Sequence, residues 1–357
     1  MKMDGGFEGN AQTLRILAKL EKRQTKGGDD IPNAVVNGID NRAGLNLTFR
    51  SLAAVLKYDV KIPAGRLQSD PVVKGYYFTE RDLVKQIKSA LSVNGPLRTI
   101  ECSIMDVADD IAYSTYDLED SFKARFLTPV SMLVWEGGIA EKVASEVSKR
   151  IKKSYPVVEQ NFTEADLFLT MTSIFRDLFS DGTEFLSETQ KDEWDDPALH
   201  VALVTSSAVL ASDKMAESGY YRSKLTSELV GNFIRDVDVT FNAASPMFSE
   251  AKLSLETFKR VEVLKNFAFQ ALIMSPMLKV AEYRGKDIVK QIFRTISGDD
   301  GFRLMPKDFQ DLYSELQSPS EKKRVVCDFI AGMTDRYAVQ FYGRLFGTNP
   351  DTIFSPL

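Results

Sequence analysis

The chain has 357 residues, 44% of them hydrophobic and 27% charged, enough to bury the core of one large domain or two ordinary ones, which excludes a disordered tail. A net charge of −5 argues against a dedicated basic nucleic-acid binder, and two cysteines, Cys102 and Cys327, exclude a disulfide framework and fit a reducing, cytoplasmic setting. A single histidine, His200, excludes any multi-histidine metal site within these residues, and neither GxxxxGK[ST] nor GxGxxG occurs.

In chain order, the N-terminal residues Met1 to Gly6 carry no apolar signal core, and no run reaches membrane-span length, so a soluble intracellular protein with no membrane contact is expected. Segments 25–44, 63–75 and 180–197 read as loops. Thr79-Glu80-Arg81-Asp82 signals the start of a helix over 83–91. Thr128-Pro129 offers an N-cap with proline in the first helical position, and Thr163 to Asp166 precedes a helix over 167–179. His200 follows a polar turn and reads as structural or solvated. Asp236 to Phe241 is the one clear period-two stretch, a short strand, and Ser320 to Phe346 reads as one long closing helix. The fold class is all-α, with a division near 154–161 between an N-terminal helical core and a C-terminal helical part.

Segment 100–126 carries the most chemistry. As a helix it aligns Ile104, Ala108, Ile111, Thr115, Leu118 and Phe122 in an apolar stripe. On the other side Asp106, Asp109, Asp110, Tyr113, Asp117 and Asp120 crowd carboxylates around a tyrosine. Like charges one turn apart repel by a few tenths of a kcal/mol per pair, so the row calls for cations from a metal, from Arg or Lys, or for water alone. A solvated acidic face is one reading. The phenol among the carboxylates also suits a sugar or base packed beside a metal.

These residues, Met105 to Tyr113 followed by Asp117 to Asp120, resemble the bacterial dGTP triphosphohydrolases of the HD superfamily. Gly6 to Arg15 is similar to that family's FEGNAQ motif, Gly44 to Thr48 with Leu56-Lys57-Tyr58 to its LNLT and LKY stretch, and Cys327 to Asp335 to its closing helix. The resemblance implies an HD-type helical core with substrate-side helices over 1–155 and a phosphohydrolase-associated helical region over 156–357. It implies hydrolysis of a dNTP, dGTP foremost, to deoxynucleoside and triphosphate at an H…HD…D site holding a divalent metal, Mg²⁺ or Mn²⁺. By motif position, Asp109 is the last metal ligand, Tyr113 packs on the deoxyribose, and Asp117 binds the 3′-hydroxyl. Asn10 and Lys57 contact the phosphates, Tyr58 lines the same pocket, and Arg284 is a looser match for a base contact. It further implies a homo-oligomer and an association with single-stranded DNA, for which the charge and the basic run Lys149 to Lys153 give no support.

The family's H and HD residues precede FEGNAQ, whereas Phe7 stands near the start of these residues, and His200 cannot replace a pair. The chain is therefore expected to be a fragment of a normal enzyme, one half of a split enzyme whose other chain supplies H…HD, or a degenerate nucleotide-binding or assembly subunit. Asp59 stands where the family often has proline.

Overall fold

The computed structural model describes residues 5–21, 24–25, 35–36, 39–64, 70–133, 135, 138–179, 209, 212, 214–215, 217–270 and 276–347. His200 and the 180–197 loop lie outside the described residues. Helices dominate, as the periodicity predicts: α1 (Gly9–Arg15), α2 (Phe49–Val55), α3 (Arg81–Ala90), α4 (Ile100–Lys123), α5 (Ile139–Ser154), α6 (Glu164–Phe179), α7 (Gly219–Arg235), α8 (Leu255–Ala268), α9 (Pro276–Ile296), α10 (Lys307–Glu315), α11 (Pro319–Ala331) and α12 (Asp335–Phe346). Among the described residues no helix is long and apolar enough to cross a membrane.

The chain forms two compact units, Met1–Cys102 with Ala281–Leu357, and Ser103–Val280. This partition follows packing density, whereas the division near 155 follows motif order.

In the first unit, Ile288, Ile292 and Ile296 repeat every fourth residue on α9 and meet Val325, Val326 and Phe329 of α11 and Phe341 of α12. A smaller cluster joins Ala11, Ile62 and Tyr77. Two glycines allow close backbone approach there. A Cβ on Gly75 would lie 1.9 Å from the Val60 carbonyl, and Gly44, at φ +57°, would place one 2.3 Å from that of Leu17. Segment 25–44, read as a loop, contains the antiparallel pair β2 (Val35–Val36) and β3 (Ile39–Asp40), and β4 (Arg42–Gly44) pairs with β1 (Gln24–Thr25).

In the second unit α8 is the central helix, with Val261, Val263, Leu264 and Phe267 buried against a core shared with α4 to α7. The predicted strand forms β5 (Val237–Thr240), and its antiparallel partner, which the sequence reading missed, is β6 (Glu250–Leu253), registered Val237 to Leu253 and Thr240 to Glu250.

Three expectations need correction. The closing segment is two helices, because the Gly332 N–H turns back to Asp328 and Phe329 and the Thr334 hydroxyl caps a fresh start at Tyr337 N–H. Thr128-Pro129 opens only a short 3₁₀ turn over Val130–Met132, whose last carbonyl accepts the Trp135 indole N–H at 2.8 Å. The apolar stripe of α4 is buried from Ile111 onward, but Ile104 is 49% exposed and Ala108 is exposed too.

Candidate nucleotide site

The sequence-predicted residues fall into four groups. Asp109, Tyr113 and Asp117 stand one turn apart on α4, on a single exposed face, as their i, i+4, i+8 spacing requires. Tyr113 is 60% exposed although it is large and apolar. Burial and the neighbouring Asp120 carboxylate raise the Asp117 carboxyl above its ordinary range. Asp110 is drawn away from this group by Lys265 of α8, whose ammonium lies 2.9 Å from it and also pairs with the buried Glu262.

Asn10 opens α1 in the first unit. Glu8 caps that helix, its carboxylate taking the Ala11 N–H at 2.9 Å and the Asn10 side-chain amide at 2.7 Å. A carboxylate accepts only, so the Asn10 amine must face it and the amide orientation is fixed.

Lys57 and Tyr58 follow α2, half-buried, past its last turn at Val55. Lys74, which the sequence reading missed, places its ammonium 3.4 Å from the Tyr58 hydroxyl and 5.3 Å from the ring centre. Asp59, the departure from the family's proline, accepts from Lys88 at 2.7 Å and the Leu97 N–H at 3.0 Å. Arg284 sits exposed on α9, 3.2 Å from Asp287 and over the Tyr342 ring at 5.0 Å.

The donor set does not complete a metal centre. Among the described residues no group of three or more His, Cys, Asp or Glu is placed to hold an ion, and the whole sequence has one histidine. Asp109 can contribute one oxygen ligand, and the rest of an H…HD…D shell does not come from these residues. The basic run on α5 is engaged locally, with Lys149 beside Glu146 at 2.5 Å, Arg150 3.6 Å from Glu262 and Lys152 donating to Asn161 at 2.5 Å.

The chain is predominantly helical, and comparison with known proteins supplies its class. Residues 251–344 match the phosphohydrolase-associated domain. The chain is 40% identical over its whole length to deoxyguanosinetriphosphate triphosphohydrolase-like protein 2 of Mesorhizobium japonicum, covering 75% of that protein. It is 28% identical to the deoxyguanosinetriphosphate triphosphohydrolase-like protein of Vibrio parahaemolyticus and 25% identical to that of Shewanella loihica, covering 72% of each. The chain belongs to the deoxyguanosinetriphosphate triphosphohydrolase-like family.

Proposed function

We propose that these residues provide the substrate side of a dNTP triphosphohydrolase acting foremost on dGTP. The carrying observation is Tyr113, a large ring held in solvent between Asp109 and Asp117 on one helix face. In this reading the ring packs on the deoxyribose, Asp117 accepts from the 3′-hydroxyl, and Asp109 gives the last ligand to a divalent cation, Mg²⁺ or Mn²⁺, completed by histidines and a carboxylate from outside these residues. Asn10 donates to the triphosphate while Lys57 and Lys74 offset its charge, and Tyr58 lines the same pocket. A cation held this way would polarise the phosphate. No step can be assigned to it from this chain's residues alone.

The test is to supply an H…HD-bearing segment from a full-length family member, in cis or in trans, with Mg²⁺ or Mn²⁺. Release of triphosphate from dGTP is the expected result. The absence of both triphosphate release and thermal stabilisation with every dNTP overturns the reading.

The incomplete donor set favours a second reading, a non-catalytic nucleotide-binding or assembly subunit. It is distinguished by dNTP-dependent stabilisation without turnover in the reconstituted protein, since a ligand that binds only the folded state stabilises it by RT ln(1 + [L]/Kd). A cytoplasmic setting, a homo-oligomer and a second chain carrying H…HD accord with either reading. Single-stranded DNA binding would show as a salt-dependent affinity for an oligonucleotide.

A further inference from the structure

Several buried polar side chains of the first unit lie outside the candidate site and converge on α11. Asp328 receives the Arg15 guanidinium at 2.9 Å and 2.8 Å and the Gln12 amide at 2.9 Å. One turn earlier, Arg324 lies 3.6 Å from the centre of the Tyr77 ring and donates to the Gly6 carbonyl at 2.8 Å. The Tyr77 hydroxyl lies 3.3 Å from Gln12 Oε1 and accepts the Glu8 N–H at 3.1 Å. Glu8 then holds the Asn10 amide. An unbroken path of polar contacts therefore runs from the phosphohydrolase-associated domain to Asn10.

Stability alone is a poor account of this path. A buried ion pair is often no more stabilising than apolar residues of the same volume, whereas a buried network of several linked polar groups narrows the geometry its members can adopt. The far end of the path is a partly exposed amide that fills no core space.

We propose that Asp328 and Arg324 are positioning residues: through Gln12, Tyr77 and Glu8 they fix which edge of the Asn10 amide is presented to a triphosphate. The inference rests on Asn10 being a phosphate contact, as proposed above. Helix α11 of the C-terminal domain then has a defined part in substrate binding, without touching substrate.

The test uses the full chain labelled with ¹⁵N-asparagine, with the Asn10 side-chain amide signal assigned by Asn10→Ala. Tyr77→Phe removes one hydroxyl from the path and should raise hydrogen exchange of that amide about fivefold, the equivalent of one hydrogen bond. Asp328→Asn should raise it at least as much, while Phe341→Leu, in the separate apolar cluster, should lower Tm and leave the amide unmoved. If Asp328→Asn does not fold, Tyr77→Phe decides. In parallel, Tyr77→Phe should weaken dGTP binding about fivefold in the wild-type background and have no effect on top of Asn10→Ala. An unmoved amide in folded Tyr77→Phe, or equal weakening in both backgrounds, overturns the positioning role. A moved amide in a chain that binds no dGTP even when completed with the H…HD segment overturns the function proposed above and leaves the positioning in place.

Discussion

Carboxylates are handled in opposite ways in two regions of this molecule. Around α1 and α11 the side chains of Glu80 and Asp328 are fully enclosed, and Arg15 reaches both at 2.8 Å. Burial by itself would lower the Arg15 pKa, but Asp328 and then Glu80 reverse this and raise it above its ordinary value. On α4, Asp109, Asp117 and Asp120 instead stand on an exposed helix face around an exposed tyrosine. Removing a carboxylate whose partners are closed inside the fold leaves a buried charge uncompensated, which is costly whatever the intact pair contributes. One displayed beside an exposed ring costs little to remove, so its effect should appear only when a ligand is present.

The largest expected effect follows from the enclosed region. Asp328→Ala leaves the Arg15 guanidinium buried with Glu80 alone, and should destabilise the chain by about 3–5 kcal/mol, read from urea unfolding. A loss below about 1 kcal/mol, the scale of a surface pair, would erase the contrast with α4.

Tyr77 sharpens the same contrast through pH. Burial pushes its phenol up to about 12, with the Arg324 cation opposing, whereas an unfolded tyrosine ionises near 10. The folded form therefore prefers the neutral phenol. Its contribution is fully present below pH 10 and is lost as the pH rises from about 10 to about 12, on the order of 2 kcal/mol. Unfolding measured across that range should show the loss in the wild-type chain and a flatter profile in Tyr77→Phe.

How much of this was legible in the sequence depended on range. Thr163 and Asp166 are three residues apart, and they form the reciprocal cap expected of them: Asp166 N–H donates to the Thr163 hydroxyl at 3.2 Å and Thr163 N–H to the Asp166 carboxylate at 2.8 Å. The i, i+4 row on α4 was equally local. Gly332 and Thr334 were also readable stop and start signals, overridden by apolar spacing that continues across the break. Arg15 and Asp328 both lie in recognisable motifs, yet they are 313 residues apart, and nothing in periodicity says which buried charge meets which. Asp110 was lost from the acidic row for the same reason, since its partner Lys265 is 155 residues away. Local geometry follows from spacing, while the pairing of distant charges is decided by how helices stack.

A mid-sized effect calibrates the scale in the second unit. Thr163→Ala should cost about 1 kcal/mol through the lost cap of α6. The Thr163 hydroxyl and N–H also hold the Asp166 carboxyl below its usual range, so the support this group gives is present at neutral pH and fades as pH falls into the carboxylate range. Thermal unfolding at pH 7 and near pH 3 should therefore separate the two proteins more at the higher pH.

The smallest stability effects belong to α4. Asp109→Asn and Tyr113→Ala alter exposed positions, so each should change unfolding free energy by no more than about 0.5 kcal/mol. In the enzyme completed with an H…HD segment they should diverge. Asp109→Asn removes an anionic ligand oxygen and should abolish triphosphate release. Tyr113→Ala removes a flat apolar surface worth on the order of 1 kcal/mol, and should weaken dGTP by about fivefold to tenfold while leaving some turnover. Should Tyr113→Ala instead destabilise the chain as much as Thr163→Ala does and leave dGTP binding unchanged, the ring would be a packing residue of the fold. The displayed carboxylates beside it would then be an ordinary solvated face.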